Sequence, residues 1–460
     1  MPTSQAATAL LWATVGTFAA SLFSLVPALH IYNLAGFVIL STTTLGPLLP
    51  PEHLAMLFLG MVTSYSVLNT IPSIFLSVPD DSTVFIVLPG QKYLMQGRGY
   101  EAAVLTGIGS MGGIGALVIL TPLASRILPA VRAIIQLHTH WILWTIIAYM
   151  LMSEWPKGSD RAPAGIRRLW EGWQSLTAGL ITFLLSGILG FILMYRSILP
   201  LNSAYQNLLP AFAGLFAVPW VIQNLMARTD LPPQFTASSV DIRPGQILLG
   251  TFTGTLGGLF AAFLPVVTGG LGGFIAGHAT AQRDERLFIL SQGASKIAYY
   301  TGGLLLFFVP GLHITRGGMA WMISTLWSAR GPHLYYAAVA ALALSGTLAF
   351  FLLLPLTRLT IKLLTRFHYH RVSLATLVIL LSIVFAVPAL GELVSGGNTR
   401  SVVCAGLQGL LICGTATGIG LIPVLWGSRR MNCMGMLLLP IALNMSGAGA
   451  TMAGWLGLID

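Results

Sequence analysis

From Pro244 to Gln282 the chain runs without a single Asp, Glu, Lys or Arg, and the same is true from its first residue to Pro51. Charge-free stretches of this length cannot clothe a fold in water. Only 8% of all residues are charged and 55% are hydrophobic, whereas a soluble protein carries roughly 25% charged residues. Mean hydropathy is +0.82. A large water-soluble enzyme is excluded, and so is disorder, which needs the opposite composition. The chain belongs in lipid, where only closed hydrogen-bonded elements survive. The expected fold is an all-α polytopic membrane protein.

A helix crosses the hydrocarbon core with about 20 residues. Apolar runs of that kind lie near 8–27, 54–76, 102–128, 132–152, 175–196 and 205–226. In the second half they lie near 245–267, 287–309, 333–357, 372–391, 401–427 and 432–456. About 12 transmembrane helices are therefore expected; the runs 34–50, 268–280 and 317–329 either cross or re-enter. No Lys or Arg precedes the first run, unlike a cleaved signal peptide, so that run is read as a retained span.

The net charge is +10 and the pI about 9.8. The basic residues sit in short loops between apolar runs, as the positive-inside rule expects, and form no basic-aromatic patch suited to nucleic acid. Three basic loops are expected on the cytoplasmic side. Loop 358–371 carries Arg358, Lys362, Arg366 and Arg371; loop 153–172 carries Lys157, Arg161, Arg167 and Arg168 against Glu154, Asp160 and Glu171; 428–431 carries Arg429 and Arg430. Lys92 and Arg98 lie two expected spans before loop 153–172, which puts them on the same side. Arg358, Lys362 and Arg366 recur every fourth residue beside Leu359, Leu363 and Phe367. They make either an amphipathic turn on anionic headgroups or an ordinary positive loop. Cys404, Cys413 and Cys433 lack metal or redox spacing and are read as small buried hydrophobes without a disulfide.

The chain is built twice. Gly16-Thr17 precedes Pro27 as Gly254-Thr255 precedes Pro265, and Leu34-Ala35-Gly36-Phe37 answers Leu271-Gly272-Gly273-Phe274. Ser64 stands before Pro79 as Ser295 stands before Pro310. The expected organisation is a membrane repeat over 1–227, a connecting loop over 228–244 and a second repeat over 245–460. Each repeat holds an interrupted apolar segment, Asn69 to Thr83 in the first and Ser291 through Gly302-Gly303 to Pro310-Gly311 in the second. Proline inside a helix frees carbonyls that lipid cannot satisfy, so such breaks persist only beside protein or water. Matching breaks at Pro79 and at Pro310-Gly311 point to a midplane substrate site.

Asp80 and Asp81 follow Pro79 within apolar sequence. A carboxylate at membrane depth costs about 2.5–3.5 kcal/mol on insertion scales. It therefore marks an ion or proton path, or else the pair caps a helix starting at Ser82 near the interface. Lys296, the sole lysine of the 287–309 run, either attracts an anion or snorkels to the interface.

Other motifs carry no chemistry. Gly107-Ile-Gly109-Ser-Met-Gly112 fits the dinucleotide pattern literally but has no strand before it. Gly109 and Gly113, Gly250, Gly254 and Gly258, and Gly269, Gly273 and Gly277 show the small-residue spacing that lets helix backbones approach. The chain has no GxxxxGK loop, HExxH or GxSxG elbow, and His138 and His140 fall on different helix faces. No cofactor and no metal centre are expected.

The stretch from Val78-Pro79 to Gln96-Gly97-Arg98-Gly99-Tyr100-Glu101-Ala102 resembles a signature of the large permease subunit of tripartite tricarboxylate transporters. Its members have an Ile-Pro-Gly break followed further on by Gln-Gly-Arg with a nearby Glu-Ala. The Gly250–Gly277 stretch and Val309-Pro310-Gly311 look like the second repeat. The resemblance covers most of the chain and is nearest to a shorter branch met mainly in archaea. Here Asp80 stands at the family's glycine, and Ser291 to Lys296 replaces its acidic and asparagine-containing stretch.

The resemblance implies a secondary transporter of a small organic anion, with a small membrane subunit and an extracytoplasmic binding protein as partners. In this reading Asn69, Thr70, Ser82, Thr83, Ser291, Gln292 and Ser295 offer neutral hydrogen bonds and Lys296 a charge. Asp80 and Asp81 take the coupling proton or sodium. A channel needs a continuous polar lining, and a lipid-modifying enzyme needs a catalytic cluster; these are the rival classes.

Overall fold

The structure, a computed structural model, describes residues 3–27, 29–45, 49–155, 165–196, 198–199, 208–227, 231–237, 240–282, 284–315, 317–328 and 331–459. Lys157, Asp160, Arg161 and Arg283 lie outside the described residues. So do 46–48 and 329 of the ambiguous runs, 205–207 at the start of one expected span, and 228–230 and 238–239 of the connecting loop.

The described chain is helical throughout, with no strand. In order come α1 (Thr3–Phe23), α2 (Ile31–Leu45), α3 (Pro51–Leu68), α4 (Thr70–Phe75), α5 (Val84–Met95), α6 (Gly99–Met152) and α7 (Ile166–Tyr195). Next are α8 (Leu208–Phe212), a π-helical turn at Ala213–Ala217, α9 (Val218–Ala227), α10 (Pro244–Phe263), α11 (Gly269–Ala279) and α12 (Glu285–Phe308). The rest comprises α13 (Gly318–Ser324), α14 (Pro332–Arg366), α15 (Tyr369–Val394), α16 (Thr399–Trp426), α17 (Gly435–Met445) and α18 (Gly449–Trp455), with a 3-10 turn at Arg430–Met434 before α17.

Among the described residues, nine helical segments are long and apolar enough to cross a bilayer, or ten if Arg430–Met445 and Gly449–Trp455, bent by 117°, form one span. The chain is a multi-pass membrane protein. The expected runs 102–128 and 132–152 are a single unbroken helix, α6, despite Pro122 and Pro129 within it. At 1.5 Å per residue, 54 residues reach about 80 Å, far beyond one hydrocarbon core. The argument that two spans separate Lys92 and Arg98 from loop 153–172 therefore fails. The three ambiguous runs are the short helices α2, α11 and α13, and 15 residues of α2 reach only about 22 Å.

The length of α6 joins two packed bodies. Its first half, through Leu105, Ile114 and Leu117, belongs to one core with α3, α4, α12 and α14, and α1 joins that core through α3 and α14. Its far half, through Leu143, Ile146, Ile147 and Met150, shares a core with Phe183 and Leu189 of α7, Phe216 and the α17 region. A third core joins Val78 to α9, α15 and Cys413 of α16. All three cysteines are free.

The glycine series explain how α12 comes to be enclosed. A Cβ on Gly109 of α6 would stand 1.9 Å from Leu290 O, one on Gly254 of α10 2.1 Å from Ser291 O, and one on Gly258 2.3 Å from Ser295 O. One on Gly273 of α11 would stand 2.8 Å from Gln292 Nε2. Three helices thus press bare backbone against one polar helix, and α12 is buried along nearly its whole length.

Candidate functional site

The break between α4 and α5 is the segment Leu76 to Thr83. Ser77 takes φ +58 there, a left-handed conformation rare outside glycine. Gln91 Nε2 donates to Ser77 Oγ and holds that turn. The turn delivers Asp80, whose Oδ1 accepts from Ser82 N at 3.0 Å, Thr83 N at 2.8 Å and Thr83 Oγ1 at 2.8 Å. Asp80 Oδ1 thus closes the turn ahead of the helix and does not cap one starting at Ser82: α5 begins at Val84, and its N-cap Thr83 has no side-chain cap bond. Oδ2 turns inward and accepts from Asn69 Nδ2 at 2.7 Å, Tyr300 Oη at 2.8 Å and Tyr65 Oη at 3.1 Å.

Lys296 does not snorkel. It is 0% exposed, and its Nζ donates to Asn69 Oδ1 at 2.7 Å and to Thr70 Oγ1. The Asn69 amide therefore stands between the ammonium and the Asp80 carboxylate, and only one orientation of that amide serves both. Asp81 Oδ1 meets Tyr300 Oη at 3.0 Å and lies 3.8 Å from His30 Nε2, while Thr268 Oγ1 donates to Asp81 O at 3.1 Å. Ligand-type atoms of His30, Asp80 and Asp81 lie within 4.8 Å of one another. Tyr300 Oη fills the middle of that trio, 3.1 Å from His30 Nε2, so the trio is a hydrogen-bonded cluster and not an open cage.

A cavity of about 280 Å³ opens beside this cluster. Its polar wall includes His30, Tyr32, Asn33, Tyr65, Asn69, Asp80, Asp81 and Tyr300; its apolar wall includes Leu209, Phe212, Leu264 and Met319. Among the described lining residues no Lys or Arg appears.

The expected site residues divide accordingly. Asn69, Pro79, Asp80 and Asp81 line the cavity. Thr70, Thr83 and Lys296 stand directly behind it in the same hydrogen-bond network. Ser82, Ser291, Gln292 and Ser295 are buried nearby outside the lining: Ser295 Oγ donates to Gly269 O at 2.6 Å, Ser291 Oγ to Phe288 O at 2.8 Å, and the Gln292 amide and Ser82 Oγ have no partner.

Pro310 and Gly311 do not reach the cavity. Helix α12 runs unbroken through Ser291–Lys296 and Gly302-Gly303, and the proline stands beyond its end. The second break that reaches the cavity is instead Leu264-Pro265-Val266, between α10 and α11, with Val266 at φ +56.

Sequence reasoning missed His30, Tyr32, Tyr65 and Tyr300. A signal existed in the repeat itself. The register that pairs Ser64 with Ser295 also pairs Tyr65 with Lys296 and Asn69 with Tyr300, and all four belong to the network.

With this geometry in view, residues 10–435 match the family model described as the tripartite tricarboxylate transporter TctA family. The chain belongs to that family. It is thus a transporter permease and not an enzyme, and its family is that of three-component systems. An uncharacterized protein of Methanocaldococcus jannaschii is 26% identical over 441 residues, covering 94% of this chain and 98% of that protein. No solved structure matches. Within the TctA signature, Gly97 has φ +75, and a Cβ there would stand 2.7 Å from Pro233 O. Arg98 pairs with Glu101 through bonds of 2.6 and 2.7 Å, and this carboxylate raises the guanidinium pKa above its usual value.

Proposed function

We propose that this chain is the permease of a secondary-active transporter that moves a small organic anion, a carboxylate in keeping with the family name, coupled to a proton or sodium ion. The observation that carries the reading is the Asp80–Asp81 pair beside a cavity of about 280 Å³, with Lys296 one amide behind it. Carboxylates at membrane depth are costly and mark ion or proton pathways. Asp80 and Asp81 repel an anion, so they take the coupling cation. Of the expected neutral donors, Asn69 faces the cavity and meets the substrate, with Thr70, Thr83 and Lys296 bracing it from behind, while Ser82, Ser291, Gln292 and Ser295 lie outside the lining. The N-terminus of α11, capped by Thr268, adds a positive dipole end.

Two repeats, 1–227 and 245–460, joined by 228–244, underlie the fold. The element order supports this: α1 to α6 and α10 to α14 each begin with a long helix, then a short one, a long segment, another short helix and a long one. Movement of one packed body against the other, with α6 spanning both, exposes the cavity alternately to the two sides. A small membrane subunit and an extracytoplasmic binding protein complete the system. The membrane is the prokaryotic inner membrane, with loops 153–172, 358–371 and 428–431 cytoplasmic. In support, Glu154 Oε1 accepts from Arg429 N at 2.7 Å and Asn432 Nδ2 at 3.2 Å, which joins the ends of two of these loops.

The test is uptake of labelled citrate into proteoliposomes under an imposed proton or sodium gradient, with and without the partner subunits. Concentration against its gradient, lost in Asp80→Asn and Asp81→Asn, is the expected outcome. Purely downhill flux indicates a channel, and unchanged uptake in both variants removes the coupling role.

A further inference from the structure

We propose that the two carboxylates have different jobs. Asp80 is a fixed charge balanced by Lys296, and Asp81 carries the transported proton, so that protonating Asp81 brings the cavity to neutrality and admits an anion. This rests on the transport reading above and names its coupling species and carrier.

The argument is a count of protons. Tyr300 Oη lies 2.8 Å from Asp80 Oδ2, 3.0 Å from Asp81 Oδ1 and 3.1 Å from His30 Nε2. A phenol owns one proton. Tyr32 N donates to His30 Nδ1 at 3.2 Å, so Nδ1 is the acceptor of a neutral ring and Nε2–H donates to Tyr300. The Tyr300 proton then serves the shorter contact, to Asp80. The remaining contact, to Asp81, is oxygen against oxygen and needs a proton of its own, which only the Asp81 carboxyl can supply.

Asp80 cannot be that acid. Both its oxygens are surrounded by donors, three on each, which leaves no room for a proton. Its charge is met by the Lys296 ammonium through the Asn69 amide. Among the described residues the titratable groups around Asp81 are His30 and Tyr32 from the α1–α2 connection and the start of α2, Tyr300 from α12 and Asp80 from its own segment, with Tyr65 and Lys296 behind Asp80. No other charged group lines the cavity among the described residues. The cavity charge therefore turns on Asp81 alone. Hydronium on the open side gives up one O–H bond as the Asp81 O–H bond forms and becomes water; on the other side the Asp81 O–H bond breaks and the proton passes to water, regenerating hydronium.

Infrared difference spectroscopy of the purified full chain reads this proton without knowing the substrate. A buried carboxylic acid band, shifted in heavy water, is expected at neutral pH in the wild type. It should be lost in Asp81→Asn and kept in Tyr65→Phe, which leaves both carboxylates in place. A band that survives Asp81→Asn, or a wild type without one, overturns the assignment. Citrate uptake separates the two layers of argument. If the band behaves as expected while no gradient drives uptake, the transport reading falls and the proton assignment stands. Gradient-driven uptake that persists in Asp81→Asn sinks the proton assignment and leaves transport intact.

Discussion

Lys296 Nζ donates to Asn69 Oδ1 at 2.7 Å, and both side chains are buried. The bond ties the polar face of α12 to the junction of α3 and α4 and, through the same amide, neutralises Asp80. Removing one partner of a buried ion pair leaves the other uncompensated, at a cost of about 3–5 kcal/mol. Lys296→Met should therefore unfold well below the wild type in thermal melts of the purified protein and lose uptake. The double variant with Asp80→Asn should melt higher than Lys296→Met alone. A double variant as damaged as the sum of its parts would mean that the two charges do not communicate.

Tyr300 offers a finer division. Its hydroxyl serves two carboxylates and a histidine, whereas the Tyr65 hydroxyl reaches one carboxylate, Asp80 at 3.1 Å. A hydrogen bond to a charged group contributes about 1.5–3 kcal/mol. Tyr300→Phe should lower stability and initial uptake rate more than Tyr65→Phe, although both remove one oxygen from one ring. Equal losses would show that Tyr300 has no special place between Asp80 and Asp81.

Much of this is legible in the amino-acid sequence. Charge-free runs require helices in lipid, and the Gly250–Gly258 and Gly269–Gly277 series foretell close backbone contact. Asp80, Asp81 and Lys296 are conspicuous because charge is so rare around them. His30, Tyr65 and Tyr300 were not legible in that way, because histidine and tyrosine ordinarily fill helical cores and nothing local marks these three. Helix α6 misled for a physical reason. The expected spans 102–128 and 132–152 leave a break at Pro129, but Arg132 Nη1 finds Leu312 O at 2.5 Å and both Pro122 and Pro129 are accommodated within the helix. Pro310 misled because a helix end and a helix interruption share one residue signature.

Glycine contacts along α12 give a test of the packing. In Gly254→Val a side chain would be forced against Ser291 O, 2.1 Å from the new Cβ. Overpacking of this kind costs typically about 1–3 kcal/mol, and here the obstacle is backbone, which cannot rotate away. The yield of monodisperse protein should collapse. Gly115 of α6 has nothing within 4 Å of a built Cβ. Gly115→Ala should be tolerated and should raise the melting temperature, since alanine gains about 1 kcal/mol over glycine in a helix. A tolerated Gly254→Val would show that α10 and α12 are not seated as described.

The Gln96-Gly97-Arg98 motif serves as a clasp for the connecting segment between the two halves of the chain. Phe235 N donates to Gly97 O at 2.8 Å, while the Gln234 side chain donates to Leu94 O at 2.8 Å and accepts from Gly99 N at 3.0 Å. Gly97 is required on two counts, its positive φ and the 2.7 Å approach of Pro233 O to a Cβ. Gln234→Ala removes the side-chain bonds to Leu94 O, Pro232 O and Gly99 N and leaves Gly99 N, at the start of α6, without this acceptor. A net loss of about 1–3 kcal/mol follows from an abandoned buried donor. Gly97→Ala adds backbone strain of about 1 kcal/mol or more. Both variants should be cut faster than the wild type in the connecting segment by a protease added to the purified protein, with the Asp81 infrared band unchanged. Cleavage rates equal to the wild type would show that the motif does not hold the segment. A lost band would show that the clasp and the proton site are one unit.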